Sequence, residues 1–96
     1  MPQMVEGKLE LTHSLYFGEG RVDIRVPARY AATPSGKTIE FILRYDEFLI
    51  ERAHGIDEDF ARELMHLFEP ELEKVLWNKA TNQLFPRAVE KRYVKE

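Results

Sequence analysis

The segment "RVDIRVP", Arg21 to Pro27, constrains the fold most tightly. Charged and β-branched residues alternate in it without interruption, and a two-residue period places Val22, Ile24 and Val26 on one sheet face and Arg21, Asp23 and Arg25 on the other. One face is core and the other is wet. Pro27 lacks an amide hydrogen, which limits the strand to a bulge or an unpaired ladder position there. The same alternation, more weakly, makes "KLELTH" a strand with Leu9 and Leu11 inward, joined to the next through the two glycines of "YFGEG". A third strand, about Thr38 to Arg44, turns Ile39, Phe41 and Leu43 inward and leaves Ile42 outward with Glu40 and Arg44.

At Tyr45-Asp46 the apolar period changes from two to about 3.6. Asp46 reads as an N-cap, with Phe48, Leu49 and Ala53 sharing a face and Gly55 stopping a short helix. Asp57 caps the next helix, and Glu58 and Asp59 suit its positive end. Phe60, Leu64, Leu67 and Phe68 form the strongest helical stripe in the chain. Pro70 either kinks a long helix or opens a new one, and Glu71 and Glu73 favour the new first turn. Leu72, Val75 and Leu76 continue inward, Asn82 marks the end, and residues 83–96 read as an irregular or extended tail. The expected architecture is α+β: a small antiparallel three-stranded sheet followed by two or three helices packed on one face. The 96 residues show no repeat or linker and make one domain, 1–96.

"AATPSGKT" ends like a phosphate-binding loop. That loop needs a first glycine where Ala31 stands and a helix after Thr38, whereas "IEFILRYD" reads as a strand. A type I turn with Pro34 second and Gly36 fourth accounts for the segment, and no nucleotide is expected.

With 44% apolar residues the chain can fill one modest core. It has no cysteine, which removes disulfides, a thiol nucleophile and cysteine-ligated zinc. No run is long and apolar enough for a membrane span, and the N-terminus lacks a signal-peptide pattern, so a cytoplasmic protein with no membrane contact is expected. Charge is uneven: residues 51 to 86 sum to −4, while 87 to 96 sum to +2. An acidic helical half argues against a broad phosphate-facing surface.

His13, His54 and His66 stand in no zinc spacing. Glu63 and His66 match one Glu-x-x-His turn of a di-iron bundle, but the other turn and carboxylates are missing, so no metal or cofactor is expected. Capping explains Asp57, Glu58 and Asp59 more simply than an acid/base pair does. No serine or threonine sits in a nucleophile elbow.

"VPARYAATPSGKTIEFIL" faintly resembles the swapped-hairpin DNA-binding domains, without their helical turn. Arg21, Arg25 and Arg29 are the candidate nucleic-acid contacts, interrupted by Asp23 and Glu40. Across most of the chain, "RVDIRVPA", "GKTIEFILRYDEFLIERAHG" and "ELMHLFEPELEKVL" resemble the small bacterial family catalogued as domain of unknown function 1488, with Phe68 and Val75 at its aromatic and aliphatic positions. The resemblance implies strands followed by helices, a bacterial source and no assigned activity, and it transfers no site residues. The tail departs from the family pattern.

The expected function is non-enzymatic, through a protein partner or self-association. A nucleic-acid-binding regulator is the alternative and an enzyme of unknown type ranks third. Trp77 falls about 140° from Leu72 on a helical wheel, so it either meets a partner, with Leu84 and Phe85 nearby, or covers its own sheet edge or tail.

Overall fold

The structure, a computed structural model, describes residues 3–87 and 90–93. Its elements are β1 (Val5–Phe17), β2 (Gly20–Ser35), β3 (Thr38–Tyr45), β4 (Leu49–His54), α1 (Glu58–Leu67), α2 (Glu69–Leu84) and β5 (Glu90–Tyr93). β2 is the centre. β1 runs antiparallel along its whole length on one side, while β3 and β4 share the other side end to end. β5 adds parallel to the outside of β3, from Thr38↔Glu90 to Phe41↔Tyr93.

The expected three-stranded antiparallel sheet is therefore corrected to a five-stranded mixed sheet with two helices, still of α+β class. Two misreadings account for the difference. The short helix expected after Asp46 is β4. Its register against β2 slips between Asp23 and Ile24, so that Ile50 faces Ile24 and Ala53 faces Val22. An extra residue in a strand puts side chains three apart on one face, and that spacing imitates a helix. The second misreading is the tail, where Glu90–Tyr93 forms β5; residues 88, 89 and 94–96 of that expected tail lie outside the described residues.

Pro27 explains why β3 and β4 are separate. It sits in a central strand, and the residues opposite it, Asp46 to Phe48, are the gap between the two strands. The missing donor falls where no ladder bond is made, and the Pro27 carbonyl still accepts from the Asp46 amide at 2.9 Å. Both hairpins close through two residues, Gly18-Glu19 and Gly36-Lys37. Gly18 and Gly36 have φ of 61° and 63°, the positive value that the first central position of a type II′ turn requires. The turn is thus centred two residues later than the type I reading placed it, on Gly36-Lys37 and not on Pro34-Ser35.

The strand residues of the core face the helices: Leu11, Val22, Ile24, Val26, Ala28, Ala32 and Phe41 are buried. Helix α1 is capped by Asp57, whose carboxylate accepts from the Phe60 amide at 3.1 Å. It ends at Phe68, and Pro70 lies in the first turn of α2, so Pro70 does open a new helix. The buried faces are rotated from the stripes read in the sequence. Helix α1 buries Ala61 and Met65 while Phe60, Leu67 and Phe68 are exposed. Helix α2 buries Leu72, Leu76, Trp77, Ala80 and Thr81 and exposes Val75. Ala80 stands near the middle of that arc, where a small side chain lets the helix approach the sheet. No helix among the described residues is long and apolar enough to cross a membrane.

Candidate functional site

The open sheet face carries the candidate nucleic-acid contacts, and each of these three arginines lies beside a carboxylate. Arg25 bridges Glu10 at 2.7 Å and Glu51 at 3.1 Å, on the strands to either side. Arg29 meets Asp46 at 3.1 Å. Arg21 Nε lies 3.3 Å from Asp23, outside hydrogen-bond geometry. Arg21, Arg25 and Arg29 thus share a face, as their alternation requires, but the carboxylates beside them offset the field a phosphate backbone would feel.

On the same face Ser14, Asp23 and His54 come together, a grouping without signal in the sequence. The Ser14 hydroxyl donates to Asp23 at 2.7 Å and His54 Nε2 lies 3.9 Å from the other carboxylate oxygen. Acyl transfer needs the imidazole between hydroxyl and carboxylate. Here the carboxylate is between, so the group ties β1, β2 and β4 together and does not activate the serine.

The structure places Trp77 inside its own chain. It is only 7% exposed, its indole nitrogen donates to the Phe41 carbonyl at 2.9 Å, and its ring meets Phe41 and Tyr93 edge to face. Leu84 and Phe85 are half-buried against the same core, Phe85 touching Phe41. Trp77 covers its own sheet and the β5 strand, so none of the three forms an open apolar face. Glu63 and His66 stand on the exposed side of α1, with His66 3.6 Å from Glu69. Among the described residues no group of three or more His, Asp or Glu side chains is placed to hold a metal ion.

The exposed apolar surface lies elsewhere. The end of β1 and the joint between the helices enclose an open cleft of about 350 Å³, walled by Leu15, Phe17, Met65, Phe68, Leu72 and Val75. Phe17 and Phe68 stack along it with centroids 6.4 Å apart. At its rim Tyr16 is 72% exposed and Phe68 46%. His13 and Glu71 are the polar groups in the lining. Burial, and secondarily the Lys79 ammonium, push the His13 imidazole below its ordinary pKa, so it presents a neutral ring. The sequence placed Phe68 and Val75 in the core. The available signal was the run "LYF" at the hairpin neck, with more apolar bulk than a two-faced strand can bury.

A scan against protein-family models finds no match for the chain, and searches of curated proteins and of solved structures find none either.

Proposed function

We propose that this chain is a protein-binding domain and that the cleft between β1 and the helix joint receives its partner. The observation that carries the reading is the cleft itself: aromatic and aliphatic side chains line a concavity that the described residues leave open. Such concavities receive apolar anchors. The partner's charge follows from the helices around it. Glu58, Asp59, Glu63, Glu69 and Glu71 make this half of the surface acidic, so the fitting segment has one or two large apolar side chains flanked by lysine or arginine. The nucleic-acid alternative has less support, because Arg21, Arg25 and Arg29 are matched by carboxylates on their own face.

Selection from a random peptide library on the immobilised domain tests this. Enriched peptides carry an apolar anchor beside basic residues, and their binding is lost in Phe68→Asp and Val75→Asp. Absence of enrichment, or peptides that bind both variants as well as the parent, overturns the reading.

A further inference from the structure

Strand β1 is paired on one side only among the described residues. Its hairpin closes through two residues, so Phe17 and Gly20 form a hydrogen-bonded pair, and bonded and non-bonded pairs then alternate back along the strand. The odd residues turn their amides and carbonyls toward β2. The even ones, Glu6, Lys8, Glu10, Thr12 and onward, turn theirs outward. The Lys79 ammonium agrees with this parity, for it donates to the outward Thr12 carbonyl at 2.9 Å.

Proteins protect exposed strand edges with lysines, prolines, bulges or covering segments. Lys79 guards Thr12 in this way. From Val5 to Leu11 the edge has no proline and keeps an unbroken register with β2, and Met4 and Val5 beside it are exposed. Charge identifies what fits. Lys8 stands opposite Arg29, which already holds Asp46, and neither Lys8 nor Glu6 has an ion pair among the described residues. Glu10, by contrast, is held by Arg25.

We propose that two copies of this chain join through antiparallel pairing of their β1 edges about a two-fold axis at Gly7. In this register each Lys8 faces the partner's Glu6, so two ions without an ion pair among the described residues gain partners reciprocally. On the opposite face each Val5 meets the partner's Leu9. Gly7 faces its own symmetry mate, a position where the absence of a side chain admits close backbone approach. The pairing stops before the carbonyl that Lys79 occupies. The two sheets become one, and a symmetric contact of this kind is closed and self-limiting. This surface is the opposite end of β1 from the apolar cleft, so the dimer and the partner-binding reading stand or fall separately.

The absence of native cysteine makes the register measurable. Val5→Cys and Leu9→Cys chains are prepared separately, then mixed and oxidised. Opposed residues in a non-hydrogen-bonded pair lie about 4.5 Å apart at Cα, within disulfide reach. The mixture forms a covalent dimer and each variant alone does not. Light scattering on the wild-type chain, from low micromolar to near-millimolar concentration, gives twice 11.3 kDa. Lys8→Glu weakens the dimer at least tenfold, and the swap Glu6→Lys with Lys8→Glu restores it. A wild-type monomer throughout that range overturns the proposal. So does cross-linking of Val5→Cys with itself, no cross-link in the mixture, or a charge swap that fails to restore a folded chain's association.

Discussion

The Trp77 indole nitrogen and the Phe41 carbonyl are joined at 2.9 Å across the buried interface of helix and sheet. Phe41 is also the last β3 residue that β5 pairs with, so one side chain satisfies an acceptor at the end of a ladder. Trp77→Phe keeps most of the ring packing and removes the donor. It should cost about 1 to 3 kcal/mol, the range for a buried group left without its partner. Trp77→Ala should cost about 3 to 5 kcal/mol. Urea titration followed by circular dichroism checks both, and a neutral Trp77→Phe would show the carbonyl to be hydrated.

Phe68 behaves differently although it is equally aromatic. Deleting a fully buried phenylalanine costs about 3 to 5 kcal/mol, but this ring is 46% exposed at the edge of the cleft. Phe68→Ala should therefore cost about 1 to 2 kcal/mol, less than Met65→Ala on the same helix, at about 2 to 5 kcal/mol. The reverse order in denaturant would mean that the cleft is closed in solution.

These two residues show what the sequence could and could not convey. Strand alternation was legible from Arg21 to Val26, since a sheet face imposes a strict period and charged residues tolerate only the wet side. The Asp57 cap and the break at Pro70 were legible because each depends on backbone chemistry local to a few residues. Which side of α2 turned inward was not. Ala80 and Thr81 are buried for their size and position, and a reading weighted by hydrophobicity gives that side to Val75 instead. Strands β4 and β5 escaped for another reason: a bulge mimics helical spacing, and parallel pairing of Glu90–Tyr93 is a long-range event that leaves no local pattern. The cleft was hidden because its walls come from β1, α1 and α2.

Gly7 and Tyr30 are opposite each other on β1 and β2, and a Cβ on Gly7 would fall 2.6 Å from the Tyr30 hydroxyl. The tyrosine ring covers the glycine and stacks on Phe41 at 5.7 Å. Gly7→Val forces that ring aside and should cost about 1 to 3 kcal/mol, as overpacking usually does. A double-mutant cycle with Tyr30→Ala checks the cause, because the combined loss should be smaller than the two single losses together.

His13 makes stability depend on pH. Burial and Lys79 lower its pKa in the folded chain, so between the folded value and the unfolded value of about 6.5 the unfolded chain binds more protons. Stability from this group is full above pH of about 6.5 and falls as the pH drops through the folded value. In His13→Gln the acid-side loss between neutral and mildly acidic pH should be shallower, as measured by chemical denaturation at a series of pH values. An unchanged slope would assign the loss to other groups.

Lys37 sits in the two-residue turn between β2 and β3, exposed and followed by a strand. Lys37→Ala should leave stability nearly unchanged, and adenine or guanine nucleotides should not raise the melting temperature. A nucleotide-dependent rise that disappears in Lys37→Ala would contradict this, since a ligand that binds only the folded chain must stabilise it.

The placement of β2 has a consequence for how the molecule comes apart. β1, β3 and β4 all take their ladder bonds from this one strand, and β5 is anchored to it only through β3. Losing β2 releases β1, β4 and the β3–β5 pair at once, whereas β5 can detach and leave the rest in place. Amide exchange should therefore show one slow cooperative unit centred on β2 and a fast opening confined to Glu90–Tyr93. That opening would bare the Tyr93 side of Trp77, making the indole's fluorescence an internal reporter of the fraying strand.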